Sequence, residues 1–159
     1  ANITVPVPSA SVVEVPAIAK LWPASEHASV SFVMLELFRK GERVSRNVYH
    51  RGSDLSATRL SPCSLTVTSL GSASSDHALD RRVSLTGGSE GSVCFMVRLN
   101  VVNAATGERI LPVHYSTNYE TITPGETVQV SMSFSHASGD DELELHIDGF
   151  NVPSIDVRI

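Results

Sequence analysis

Apolar residues recur at every second position along most of this chain, and turn-forming residues interrupt them at short intervals. The clearest run is Ser92 to Val102, where Val93, Phe95, Val97, Leu99 and Val101 share one side. A period of two is that of a β-strand with one buried face, and this run predicts a central strand. Val128, Val130, Met132 and Phe134 alternate with Thr127, Gln129, Ser131 and Ser133, and Leu143, Leu145 and Ile147 alternate with Glu142, Glu144, His146 and Asp148. Shorter strands are expected at Ser64–Leu70 and Leu79–Leu85, with a last one inside Val152–Ile159. Ser29–Phe38 is apolar on both faces, which suits an interior strand, and Lys40-Gly41-Glu42 turns it back through Val44–Tyr49. No segment holds a helical period. Seven to nine short strands divided by turns predict an all-β fold, an immunoglobulin-like antiparallel sandwich of two sheets.

The breaks between strands have chemical causes. Gly107 ends a turn begun at Ala104, and Pro124-Gly125 joins a fixed φ to a residue free to enter the left-handed region. Pro112 removes a ladder donor, so the strand containing Ile110, Leu111 and Val113 must lie at an edge or break there. His114 to Asn118 then reads as a loop, and Gly71 to Asp76 as a turn. Pro6, Pro8, Pro16 and Pro23 exclude a central strand from residues 1–27, which read as an extended lead-in, linker or edge strand; the sandwich domain is expected over 28–159.

Composition narrows the function. The 159 residues suffice for one domain with a real core, and 42% apolar with 18% charged residues is ordinary for a globular chain. A net charge of −5 without any run of Lys or Arg argues against nucleic acid and anionic membrane as partners. No apolar run approaches the ~20 residues of a membrane helix. Cys63 and Cys94 leave two readings open. A disulfide between them would contribute roughly 3–4 kcal/mol by restricting the unfolded chain. Two cysteines in a chain this long form no framework, so buried free thiols are the expectation. Asn2-Ile3-Thr4 is a glycosylation sequon, a triplet that often arises by chance; a secreted or lysosomal/vacuolar protein is expected, with a cytoplasmic one as the alternative.

Candidates for chemistry are sparse. The six histidines lack ligand spacing, and no metal or other cofactor is expected; the acidic loop Gly139–Glu142 reads as solvated. Gly87–Gly91 is a glycine turn with no lysine and no helix behind it, so it is not a phosphate loop. None of the 17 carboxylates sits in a context that buries it beside a second, as glycoside hydrolysis requires. No Gly-x-Ser-x-Gly occurs between a strand and a helix, where a nucleophile elbow must sit. Catalysis by this chain alone is not expected.

One stretch is more specific than the rest. It runs Leu111-Pro112, then His114-Tyr115, Ser116-Thr117-Asn118-Tyr119 and Thr123-Pro124-Gly125-Glu126. This order resembles the C-terminal immunoglobulin-like domain of family 2 glycoside hydrolases, in the branch of exo-β-D-glucosaminidases, β-mannosidases and plant mannosylglycoprotein endo-β-mannosidases. Ser45-Arg46-Asn47-Val48-Tyr49, the strand Phe95–Leu99 and the closing segment Leu145–Asn151 are similar to further parts of that domain. Thr117 stands where that family has Asp, and Glu120 where it has an aromatic residue. The resemblance implies a non-catalytic domain or subunit that packs on a catalytic barrel carried elsewhere, in an enzyme acting on β-mannosides or β-glucosaminides. The Asn-Glu pair that marks the family's acid/base does not occur in this chain. A free-standing glycan- or protein-binding module is the second expectation, with Tyr115, Asn118, Tyr119 and Trp22 as contacts. Against it, the tyrosines have a plain structural use in capping the sandwich through a hydroxyl-to-backbone bond.

Overall fold

The computed structural model describes residues 6, 8–13, 16, 30–51, 60–74, 79–135 and 142–159. Trp22, most of the lead-in and all of the acidic loop but Glu142 lie outside them. By its contacts the chain divides into two compact units, Ala1–Arg59 and Leu60–Ile159. The sequence reading set its boundary at residue 27; in the structure the first two strands cluster with the first unit.

That unit holds a hairpin of β1 (Ser31–Arg39) and β2 (Glu42–Arg51), paired from Ser31↔Arg51 to Arg39↔Glu42. Lys40 and Gly41 between them have φ of 53° and 87°. A two-residue turn with both φ positive matches the right-handed twist of its strands. Arg43 and Glu36 form a cross-strand ion pair of 2.8 Å. The expectation of an interior strand is not met: among the described residues β1 pairs with β2 alone. Both of its faces carry exposed apolar side chains, Leu35 and Leu37 on one and Met34 and Phe38 on the other.

Among the described residues the second unit contains eight strands in two antiparallel sheets. They are β3 (Leu65–Ser74), β4 (Leu79–Gly87), β5 (Cys94–Asn103), β6 (Val113–Tyr115), β7 (Glu120–Ile122), β8 (Thr127–Phe134), β9 (Leu143–Asp148) and β10 (Ile155–Arg158). One sheet has the order β3-β4-β8-β6 and the other β10-β9-β5-β7. The period-two runs supply the core: Val83 and Leu85 of β4, Val130, Met132 and Phe134 of β8, Val97, Leu99 and Val101 of β5, and Leu145 and Ile147 of β9. Each such side chain, fully buried, contributes roughly 1.5–3 kcal/mol of transfer free energy.

Several boundaries moved for local reasons. β3 runs through Ser74, past the turn expected at Gly71, because a bulge at Ser69/Gly71 absorbs the glycine, whose φ is 118°. Pro112 does break its strand: the Leu111–Pro112 peptide is cis, Leu111 is exposed, and β6 starts only at Val113, on a sheet edge. Tyr115 and His114, read as loop, belong to β6.

The free-thiol expectation is overturned. Cys63 and Cys94 form a disulfide with Cα atoms 5.2 Å apart. Cys63 precedes β3 and Cys94 opens β5, so the bond ties one sheet to the other. Asn151, only 8% exposed, stitches the same place. Its side-chain oxygen accepts from the Phe95 amide at 2.9 Å, and its amide nitrogen donates to the carbonyls of Ser61 (2.8 Å) and Val93 (2.9 Å). The Cys63 amide donates to the Asn151 carbonyl, and the Phe150 amide to the Phe95 carbonyl, both at 2.9 Å. Gly149 fits because a Cβ there would sit 2.7 Å from Val152 and 3.0 Å from the Phe95 carbonyl oxygen.

Candidate functional site

The specific stretch of the sequence lies along the edge of β5 that faces β7. On that edge Val97, Leu99 and Val101 must each find backbone partners. β7 is only three residues long, and it reaches β5 at Cys94↔Ile122 and Val97↔Glu120. Beyond it, side chains take over. The Asn118 oxygen accepts from the Leu99 amide at 2.9 Å, and its nitrogen donates to the Leu99 carbonyl at 3.0 Å. One residue pair further, the Val101 amide donates to the Tyr115 hydroxyl at 3.1 Å, while its carbonyl accepts from Ile110 at 2.9 Å. Asn118 and Tyr115 therefore act as a surrogate strand. Burial pushes the Tyr115 phenol above its ordinary pKa, against the opposing pull of the Val101 amide, so it stays protonated.

The loop is further closed on itself. The Thr117 hydroxyl donates to the Glu120 carboxylate, at two positions where this chain departs from the family it resembles. The Glu126 carboxylate accepts from the Thr123 amide and hydroxyl at 3.0 and 2.9 Å, which secures the Pro124-Gly125 turn. Asn118 also accepts from the Tyr119 amide at 2.8 Å, holding Tyr119 at a φ of 59° with its side chain exposed.

On the outward side of this sheet is a charged row. Arg98 bonds Asp148 through both carboxylate oxygens, with the Nε–Oδ1 distance 2.8 Å. His146 Nδ1 is 2.6 Å from Asp156, and its Nε2 is 3.6 Å from Asp148. The bond from Arg98 is the main cause that holds the Asp148 carboxyl below its ordinary pKa of 3.8; burial opposes it, and the charges of Arg98 and His146 add to it.

Of the four residues singled out from the sequence, Tyr115 and Asn118 meet on β5 and spend their polar groups there. Tyr119 points away from them, and Trp22 lies outside the described residues. The sequence reading missed Met96, Arg98 and Asp148. Alternation did hold a signal for them, since Met96 and Arg98 occupy the outward positions between Phe95, Val97 and Leu99.

Two outcomes follow from this geometry. Tyr115→Phe should lower unfolding free energy by about 1–2 kcal/mol, because the Val101 amide loses its acceptor; urea denaturation checks this. Asp148→Asn should melt below the parent at neutral pH. A depressed carboxylate pKa adds stability above 3.8 that is lost as pH falls through the lower folded value, so the gap should close in acid. Melting curves from about pH 7 to about pH 2 measure it. The gap should be small, because the pair is partly exposed and screened.

Comparison with known proteins agrees with this architecture. A family described as the exo-beta-D-glucosaminidase Ig-fold domain matches residues 47–152. An exo-beta-D-glucosaminidase of Arthroderma benhamiae is 32% identical over 58 residues, 36% of this chain and 6% of that protein. A mannosylglycoprotein endo-beta-mannosidase of Lilium longiflorum is 41% identical over 64 residues, 36% of this chain and 7% of that protein. Among solved structures, the exo-chitosanase CsxA of Amycolatopsis orientalis superposes with a TM-score of 0.73 at 25% identity, covering 85% of this chain and 19% of CsxA. The chain thus spans less than a tenth of the curated relatives and about a fifth of the similar structure.

Proposed function

Because this chain belongs to the exo-β-D-glucosaminidase Ig-fold domain family, we propose that it is a non-catalytic β-sandwich domain or subunit of a glycosidase of that type, acting on β-glucosaminides or β-mannosides. In this reading it packs on a catalytic barrel carried elsewhere and supports it. The observation that carries the proposal is the use made of the motif-bearing loop. Its amide and phenol complete the edge of β5. A group so engaged is a scaffold part, and a scaffold of this kind serves chemistry done by another body. The relatives' lengths support the same reading, since most of each lies outside the matched region. The disulfide supports a secreted or lysosomal/vacuolar setting, where such bonds persist.

A free-standing glycan-binding module is the weaker reading. It would draw its hydrogen bonds from Tyr115 and Asn118, which are spent on β5, and from Tyr119, whose phenol bonds Arg98. The two separate on one experiment. The catalytic part of the glycosidase from the same source is produced with and without this chain, and its melting temperature and activity on glucosaminide and mannoside substrates are compared. A rise in melting temperature with the chain present is expected. No change in either quantity, together with glycan binding by the chain alone, would favour the module instead.

A further inference from the structure

We propose that Met96 and Tyr119, flanking the Arg98–Asp148 pair on the outward side of the β10-β9-β5-β7 sheet, form the surface by which this domain docks on the catalytic part of its own glycosidase. This rests on the accessory reading and gives that reading an address.

The first observation is conformational. Met96 has a φ of 53° and Tyr119 a φ of 59°. The left-handed region costs a residue with a Cβ on the order of 1–2 kcal/mol. Met96 sits in the bulge where β5 breaks register between Cys94 and Val97, a place that glycine fills without strain. Neither position has a glycine. Each carries a large side chain instead, and those side chains are 43% and 57% exposed. The interior gains little from them.

The second observation is position. Val97 pairs with Glu120 across β5 and β7, and the side chains of the next residues, Arg98 and Tyr119, bond each other. Val97 and Leu99 point into the core, which turns Arg98 outward, and Met96 in the bulge two residues before it is exposed. Arg98 pairs in turn with Asp148 on β9. The four side chains therefore share one side of the sheet, next to its β7 edge.

The third is charge. Arg98 is neutralised by Asp148, and Glu120 holds the Thr117 hydroxyl. What is presented beside this pair is a thioether and a phenol ring whose hydroxyl bonds Arg98, residue types enriched at protein interfaces. A glycan would ask for open donors and acceptors; a protein surface with an apolar hollow does not. The backbone that carries both side chains is also held from behind, Tyr119 by Asn118 and the start of β5 by Asn151 and the disulfide. Preorganisation of this kind lowers the entropy lost on docking. The occupant is argued from length: the matching region is 19% of CsxA, so a domain of this type has four-fifths of a chain available to pack against.

The test uses the 159-residue chain and, as a separate polypeptide, the catalytic part of the glycosidase from the same source. Affinity is measured by titration calorimetry for the parent, Met96→Gly, Tyr119→Gly, the double variant, and Arg82→Ser on the other sheet as a control. The double variant should bind at least tenfold more weakly, with a melting temperature equal to or above the parent's, because glycine relieves both φ values. Arg82→Ser should bind like the parent. Parental affinity in the double variant overturns the surface and leaves the accessory reading standing. If the parent itself does not bind, both fall. If the substitutions abolish only self-association of the chain in sedimentation, the occupant is a second copy and the proposal is wrong.

Discussion

Asn151→Ala should lower the unfolding free energy of the sandwich unit by about 3–5 kcal/mol, the larger effect among single substitutions on these residues. Three backbone groups lose their partner at once: the Phe95 amide and the carbonyls of Ser61 and Val93. Leaving one buried polar group unsatisfied costs about 1–3 kcal/mol, and water entering the vacated space recovers part of it. The loss reaches beyond stability. Asn151 fastens the end of β5 from which Met96 projects, so the bulge there should loosen. Asn151→Asp is the informative companion. It keeps the acceptor for Phe95 but turns an oxygen toward two carbonyl oxygens, so it should also destabilise, and by more at neutral than at acidic pH. Chemical denaturation of the three proteins, with hydrogen exchange at the Phe95 amide, measures both. An Asn151→Ala protein within about 0.5 kcal/mol of the parent would mean that these three bonds contribute nothing net.

Removing the disulfide should cost nearly as much. Cys63 and Cys94 are 31 positions apart, and closing a loop of that length in the unfolded chain contributes roughly 3–4 kcal/mol in the chain-entropy picture. The double variant Cys63→Ala/Cys94→Ala should still fold, because Asn151 and the Cys63 amide bond hold the same junction. Its denaturation midpoint should fall, and the parent's should fall to a similar value under reductant. A parent insensitive to reductant, with free thiols by mass, would restore the reading of two buried thiols. The disulfide and Asn151 meet at one junction, so their combined loss should differ from the sum of the two.

Much of the sandwich was legible in the residues. Val83 and Leu85, Val97 through Val101, Val130 through Phe134, and Leu145 and Ile147 face the core where their alternation put them. Period two is a local property, because successive Cβ atoms point to opposite faces whatever the partner strand. The Pro124-Gly125 and Lys40-Gly41 turns were legible for the same reason: φ preference belongs to the residue. The order Tyr115, Asn118, Tyr119 was legible as a likeness to a family, and the family model bears that likeness out over residues 47–152.

What needed the folded chain is what depends on distance in space. Nothing in the sequence tells that Asn118 meets Leu99, that Tyr115 meets Val101 or that Asn151 meets Phe95, since 14 to 56 residues separate the partners. The pairing of Cys63 with Cys94 is of the same kind. So is the exposure of β1, whose two apolar faces read as interior although β2 is its one partner among the described residues. Alternation and turn residues determined which side chains leave water, because that choice is made within a few positions of chain. The tertiary structure alone decided which polar groups complete the edge of β5 and which large side chains are left facing outward, because those outcomes depend on where separate strands end in relation to one another.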